Sequence, residues 1–318
     1  MIPSIVQQIK QGQSFLVTAH AGPDGDAIGS TLGLARALRQ MGKEVVALNV
    51  DGVPETFTFL SGSGQLVTEL KQDSFFDVAF VLDAGDLQRV GVPVAEHCRT
   101  LINLDHHPHS DFGDICYLDT AACATGAMIY RLLKACDFDL RLDVAECLYA
   151  AILSDTGSFR YSNADPEAFA IAGDLVTLGV DPWGVASRLF ESQPLQRLKL
   201  LALVLSTLDV SPCGKFASVA MTTDMLEKAG AGVEDTDGFI NYPRAVNGVE
   251  VAVFFRQISD EKTKVGFRSR GAVDVGAISR ELGGGGHHNA SGVTIDGRFE
   301  QVCRRVALLL QQHFSRPA

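Results

Sequence analysis

The 318 residues, 46% hydrophobic and 20% charged, have a globular balance and enough chain for two domains of about 150 residues. Seven cysteines with no C-x-x-C pair exclude a disulfide-stapled scaffold or zinc knuckle, and no uncharged run reaches the roughly 18 residues of a membrane span. A formal charge of −11 argues against coating long duplex DNA, although an acidic chain can still hold a small phosphorylated ligand where metal ions, arginines or backbone amides reverse the local field. The opening MIPSIVQQIKQGQSFLV lacks the parts of a secretory signal, so a cytoplasmic location with no membrane partner is expected.

In chain order, SFLVTAH (14–20) reads as a buried strand, and Ala27 to Met41 reads as a helix ending at Gly42. EVVALNV, DVAFVLD and LINLDHH follow as further strands, each ending in polar residues. Apolar strands alternating with helices predict a mainly parallel sheet covered on both faces, with ligands at the carboxyl ends of its strands. Helical patterns then occupy Ala124 to Ala135, Val144 to Leu153, Pro166 to Leu178 and Leu195 to Leu208. Beyond them KFASVAM, VEVAVFFRQI and TKVGFRSR have strand composition, and VDVGAISREL reads as a helix before GGGGHHNASG. The expected architecture is α/β: a domain over 1–190, a helical linker over 191–209 and a smaller α/β domain with a mixed sheet over 210–318.

The acidic and histidine residues gather at the ends of these strands. HAGPDGDAIGS places His20, Asp24 and Asp26 in one turn between strand and helix. Taken singly, this turn has an ordinary explanation, with Asp26 capping the helix and Asp24 and Gly25 shaping the turn. Asp83 ends DVAFVLD, Asp105, His106 and His107 end LINLDHH, and Asp155 follows the apolar helix in LYAAILSDTGSF. So many carboxylates with few compensating cations would repel one another unless they protonate or share a multivalent cation. Carboxylate and imidazole together suit manganese, iron or zinc.

The ordered motifs HAGPDGDAIGS, VLDAGD, NLDHH, AAILSDTGSFRYS and GGGGHHNASG resemble the DHH phosphoesterase superfamily. In length and domain pairing the chain is most similar to the branch that degrades very short oligoribonucleotides and dephosphorylates 3′-phosphoadenosine 5′-phosphate. The resemblance implies two divalent cations, manganese by preference, bridged by Asp83, with His20 and Asp24 on one and Asp26, His106 and Asp155 on the other. Asp105 would orient a histidine, and His107 would face the substrate phosphate; the tripeptide does not decide which of the paired histidines is the ligand. Ions roughly 3.5 to 4 Å apart can activate a shared hydroxide for in-line attack on the phosphate.

The distal GGGG could be a simple connector, but glycines also let backbone amides approach an anion, and arginine binds phosphate in two-pronged fashion. The resemblance assigns Arg268, Gly284, Gly285, Gly286 and His287 to substrate binding. Expected partners are short RNA and the nucleotide bisphosphate, not long duplex DNA; a homodimer is left open. The alternatives are a phosphodiesterase for linear dinucleotides such as pApA, an inorganic pyrophosphatase, against which the distal glycines count, and a nucleotide-binding module without turnover.

Overall fold

In a computed structural model, which describes residues 1–108, 110–286 and 288–315, the chain forms two compact units, 1–192 and 193–318. The first contains α1 (Ile2–Gln11), β1 (Ser14–Ala19), α2 (Gly25–Gln40), β2 (Glu44–Leu48), β3 (Phe76–Leu82), β4 (Cys98–Asp105), β5 (Ile115–Leu118), α3 (Thr125–Ala135), α4 (Leu142–Asp155), α5 (Pro166–Thr177) and α6 (Pro182–Phe190). Its five strands are ordered β2-β1-β3-β4-β5, and every pairing is parallel. The chain runs outward from β1 to β2 and returns across β1 to β3, so the strand order reverses between β1 and β3. In open parallel sheets the crevice at such a reversal, at the carboxyl ends of the strands, is where ligands bind.

Alternation along the strands decides which residues face the helices. Phe15, Val17, Phe80, Leu82, Ile102 and Leu104 join the large core beneath the helices. Leu16, Ala79, Val81 and Leu101 point the other way, into a smaller cluster with Val90 and Val94. That second face is covered by loops and by the short 3₁₀ turns Leu87–Val90 and Val94–His97 rather than α-helices. The reason lies in the connection after β3, where Pro93 and positive-φ glycines at 85 and 91 interrupt helical propagation.

The second unit contains α7 (Leu195–Leu205), β6 (Asp209–Val210), β7 (Phe216–Met221), α8 (Thr223–Ala229), α9 (Asn241–Ala245), β8 (Val251–Ser259), β9 (Lys262–Ser269), α10 (Val275–Glu281), β10 (Gly285–Gly286), β11 (Ala290–Asp296) and α11 (Phe299–Ser315). Its sheet is mixed, in the order β10-β11-β9-β8-β7-β6, with β7 and β8 parallel. α10 and α11 cover one face. Helix α7, within the stretch read from sequence as a linker, buries Leu200 and Val204 against Val219, Met221 and Phe254 on the other. No helix among the described residues is long and apolar enough to cross a membrane.

Candidate metal centre

The centre begins at the reversal between β1 and β3. His20 follows β1 and is buried; its Nδ1 lies 2.9 Å from the Ala21 carbonyl. A carbonyl only accepts, so Nδ1 carries the proton and Nε2 is left as the ligating nitrogen. Nε2 stands 3.8 Å from Asp83 Oδ2. Asp83 ends β3 in the left-handed region, with φ at 55°, a conformation rare outside glycine and concentrated at functional sites.

The turn HAGPDGD resolves differently from its ordinary reading. Asp24, not Asp26, caps α2: its Oδ1 accepts from the Asp26 and Ala27 amides, both at 3.0 Å. Asp26 is buried one residue into α2 and caps a different helix. It accepts from the Thr125 amide at 2.6 Å and the Gly126 amide at 2.9 Å, at the start of α3, whose N-cap residue Ala124 has no side-chain cap of its own. Burial, reinforced by the charges of Asp83 and Asp155, pushes the Asp26 carboxyl well above its usual range.

At the end of β4 the two histidines of the DHH tripeptide take different places. His106 Nδ1 lies 3.2 Å from the Ala122 carbonyl, and its Nε2 faces Asp83 Oδ1 at 3.4 Å, Asp155 Oδ2 at 3.8 Å and Asp26 Oδ2 at 3.9 Å. Burial disfavours the charged ring, but these carboxylates outweigh it and hold the His106 pKa up at about 10. A divalent cation in the same place would have to displace that proton. His107 instead places Nδ1 2.9 Å from Asp105 Oδ1. Asp105, fully buried, also accepts from the His107 amide, the Gly85 amide and Ser110 Oγ at 2.9, 2.6 and 2.7 Å. Burial would raise its pKa, but these donors hold it well below the carboxylate range.

Asp155 closes the cluster from the last residue of α4. Burial, with Asp83 and Asp24 nearby, pushes its pKa up to about 6 despite the opposing charge of His106. It also stands at the negative end of a helix dipole, where a carboxylate is disfavoured. His20, Asp24 and Asp83 place ligand atoms within 4.8 Å of one another, as do Asp26, His106 and Asp155. The donor set fits divalent cations: mixed carboxylate and imidazole, negative in sum, with His20 and His106 both aiming Nε2 inward.

In the second unit, Arg268 lines a cleft with Arg256 and Lys264. The glycine loop is more structural than its composition suggests. The Gly284 amide already donates to the Ser279 carbonyl at 2.8 Å, which removes it from ligand binding, and a Cβ there would lie 2.5 Å from the Gly292 carbonyl oxygen. Gly286 has φ at 137°, and a Cβ would crowd Ser291. At Gly283, with φ at 88°, and at Gly285 a Cβ would meet open space. His287 lies outside the described residues.

The DHH family N-terminal domain matches residues 14–152, and the DHHA1 domain matches 216–312. The bifunctional oligoribonuclease and PAP phosphatase NrnA of Thermus thermophilus is 35% identical, over 96% of this chain and 91% of its own. The protein of the same name from Bacillus subtilis is 30% identical over 93% of each. This chain belongs to the DHH phosphoesterase family. A crystal structure of an exopolyphosphatase-related protein from Bacteroides fragilis superposes with a TM-score of 0.92 at 26% identity, covering 98% of this chain and 96% of that one.

Around the DHH cluster, residues that carry no signal of their own in the sequence hold the candidate ligands in place. Thr125 Oγ1 donates to Asp83 Oδ1 at 3.2 Å, Ser30 Oγ to Asp26 Oδ1 at 3.0 Å, and Asn163 Nδ2 to Asp155 Oδ2 at 3.3 Å. Asn49 Nδ2 fixes the His20 carbonyl at 2.8 Å. One supporting feature was legible: Gly25, Gly29 and Gly33 recur every four residues along α2 and face α4, where a Cβ on Gly29 would lie 2.5 Å from the Cys147 carbonyl oxygen. The spacing marks a close helix contact.

Proposed function

We propose that this phosphoester hydrolase acts in the cytoplasm on very short oligoribonucleotides and on 3′-phosphoadenosine 5′-phosphate. Its two divalent cations, manganese by preference, would be held by His20, Asp24, Asp26, Asp83, His106 and Asp155. One observation carries the reading: the two oxygens of Asp83 serve different groups, Oδ2 towards His20 and Oδ1 towards His106. The names of the Thermus and Bacillus relatives support the substrate class.

Cations bound there would supply Lewis acidity, lowering the pKa of a water and neutralising phosphate oxygens. The chain's own residues do the rest. Asp105 is buried and accepts from four donors, so it holds the His107 ring fixed through Nδ1 and leaves Nε2 to meet the phosphate or protonate the leaving oxygen. The Asp105 hydrogen bond, with help from Asp83, raises the His107 pKa against the effect of burial, which favours the donor form. Asp26 and Thr125 tie α3 to the cluster, so the position of Asp26 is set by helix packing.

The test is hydrolysis by purified protein after EDTA treatment and after manganese is restored, compared on an RNA dinucleotide, long RNA, 3′-phosphoadenosine 5′-phosphate and pyrophosphate. Turnover of the dinucleotide and the bisphosphate, lost on chelation and regained with manganese, is expected. A rate that survives chelation, or pyrophosphate as sole substrate, overturns the assignment.

A further inference from the structure

The loop that follows Asp83 carries an arginine back to the cluster. Asp86 caps the 3₁₀ turn Leu87–Val90 by accepting from the Gln88 amide at 2.8 Å, and Gly91, with φ at 80°, ends it. The turn sinks Val90 into the smaller core against the sheet and leaves Arg89 exposed. Arg89 is then tied at both ends to the loops that hold the candidate ligands. Its carbonyl accepts from the amide of Ala21, the neighbour of His20, at 2.6 Å. Its Nη1 donates to the carbonyl of Ala84, the neighbour of Asp83, at 3.0 Å.

These ties set the guanidinium beside His107. A Cβ at Gly85 would lie 3.2 Å from Arg89 Nη1 and 3.8 Å from both Cβ and Cγ of His107, so the two side chains flank one glycine. Gly85 itself has φ at 67° and gives its amide to Asp105 at 2.6 Å, which locks this corner to the residue that orients His107. Two donors so close can share one tetrahedral phosphate, since each hydrogen bond reaches about 2.9 Å from its own oxygen. The His107 side chain is 40% exposed, so both donors are open to a ligand.

Charge separates Arg89 from an ordinary neutralising partner. Asp83 pairs with His20 and His106, Asp26 and Asp155 with His106, and Asp105 with His107. Among the described residues no carboxylate pairs with Arg89, and Asp86 turns its Oδ1 to the Gln88 amide. The bond to Ala84 uses one of the five N–H groups a guanidinium carries, and the group stays protonated at any working pH. An anchored cation at the rim of an acidic cluster, paired with none of its carboxylates, suits an anion that arrives from outside.

Resting on the phosphoester reading above, we propose that Arg89 is a further catalytic residue, donating to a non-bridging oxygen of the scissile phosphate beside His107. His107 loses its charge as pH rises and Arg89 does not, so Arg89 keeps a fixed positive charge where negative charge grows in the transition state.

The experiment compares the whole chain with Arg89→Gln and Arg89→Lys, which alter an exposed side chain and fold. It measures the rise in Tm on adding manganese, calorimetric binding of inorganic phosphate in manganese, and kcat and KM on an RNA dinucleotide. Arg89→Gln should keep the full manganese rise, because it removes a cation from beside the cluster and no ligand. It should bind phosphate about fivefold more weakly and lose about 10²-fold in kcat, the scale of one donor aimed at transition-state charge, with KM raised by less than about tenfold. Arg89→Lys keeps the charge without the planar fork and should recover about tenfold of that kcat. Loss of the manganese rise in both variants overturns the catalytic role and makes Arg89 a tie between loops; so does a kcat in Arg89→Lys no better than in Arg89→Gln. Hydrolysis by wild type at an undiminished rate in Arg89→Gln removes the role and keeps the proposed function. Arg89-dependent phosphate binding without any hydrolysis keeps the anion contact and removes the proposed function, and a wild type that neither hydrolyses the dinucleotide nor binds phosphate overturns both.

Discussion

Asp83 holds a backbone conformation that costs of the order of 1–3 kcal/mol for a residue with a side chain, and in return its carboxylate stands between two histidines that β1 and β4 deliver separately. Asp83→Asn keeps the left-handed turn, which asparagine tolerates, and removes the charge. Hydrolysis should fall by roughly 10³-fold, the scale on which a group aimed at transition-state charge matters. Melting curves give a second readout. Manganese at 100-fold excess over its Kd should stabilise the wild type by about 2.7 kcal/mol, and Asp83→Asn should lose that gain. A retained manganese shift would contradict the bridging role. His107 is tested by its split: His107→Ala should lower kcat more than it raises KM if the ring acts in the transition state. A change confined to KM would reduce it to a binding contact. The tripeptide could not tell His106 from His107, because what separates them is the Ala122 carbonyl behind one ring and Asp105 behind the other, neither visible as local pattern.

The contact between α2 and α4 sets the distance between proposed ligands, because Asp24 and Asp26 ride on the start of one helix and Asp155 on the end of the other. Gly29 lets the two backbones meet. By helix propensity alone Gly29→Ala should stabilise by about 1 kcal/mol; a methyl 2.5 Å from the Cys147 carbonyl oxygen should cost about 1–3 kcal/mol in overpacking. The clash should win, so the variant is expected to melt lower and bind manganese more weakly, and a stabilised variant would show that the helices separate freely. The same pair is tied by Asp143, which accepts from Arg36 Nε at 2.8 Å and Gln40 Nε2 at 3.0 Å. Burial raises the Asp143 pKa, but Arg36 and Gln40 outweigh it and the net shift is downward. A carboxyl with a pKa lower in the folded than in the unfolded chain, about 3.9, stabilises the fold above that value and ceases to as pH falls through the folded pKa. Asp143→Asn should therefore lower Tm at pH 7, by a partly exposed pair's worth of under about 1 kcal/mol, with the gap to wild type closing below about pH 4. A gap constant from pH 7 to 3.5 would exclude the ion pair as its cause.

At the scale of the whole chain, what could be read beforehand was whatever is written locally. Apolar strands ending in Asp83 and Asp105 announced a parallel sheet with acids at its carboxyl edge. The order β2-β1-β3-β4-β5 was not legible, because partner choice between strands tens of residues apart leaves no local mark. Nor were the separate reasons for four adjacent glycines, which look alike in sequence although an added Cβ would meet open space at 283 and 285 and crowd β11 at 284 and 286. The same locality gives the last expectation its form. All six proposed ligands fall in 1–192, over a core of their own, while Arg256, Lys264 and Arg268 stand on a sheet with its own clusters on both faces. Each unit has the buried core an independent domain needs. Expressed separately, 1–192 should melt cooperatively with a Tm that rises on adding manganese, and 193–318 should melt cooperatively with no such shift. A manganese shift in 193–318, or its absence from a folded 1–192, would mean that the metal ligands are drawn from both halves of the chain and that the cluster around Asp83 is incomplete.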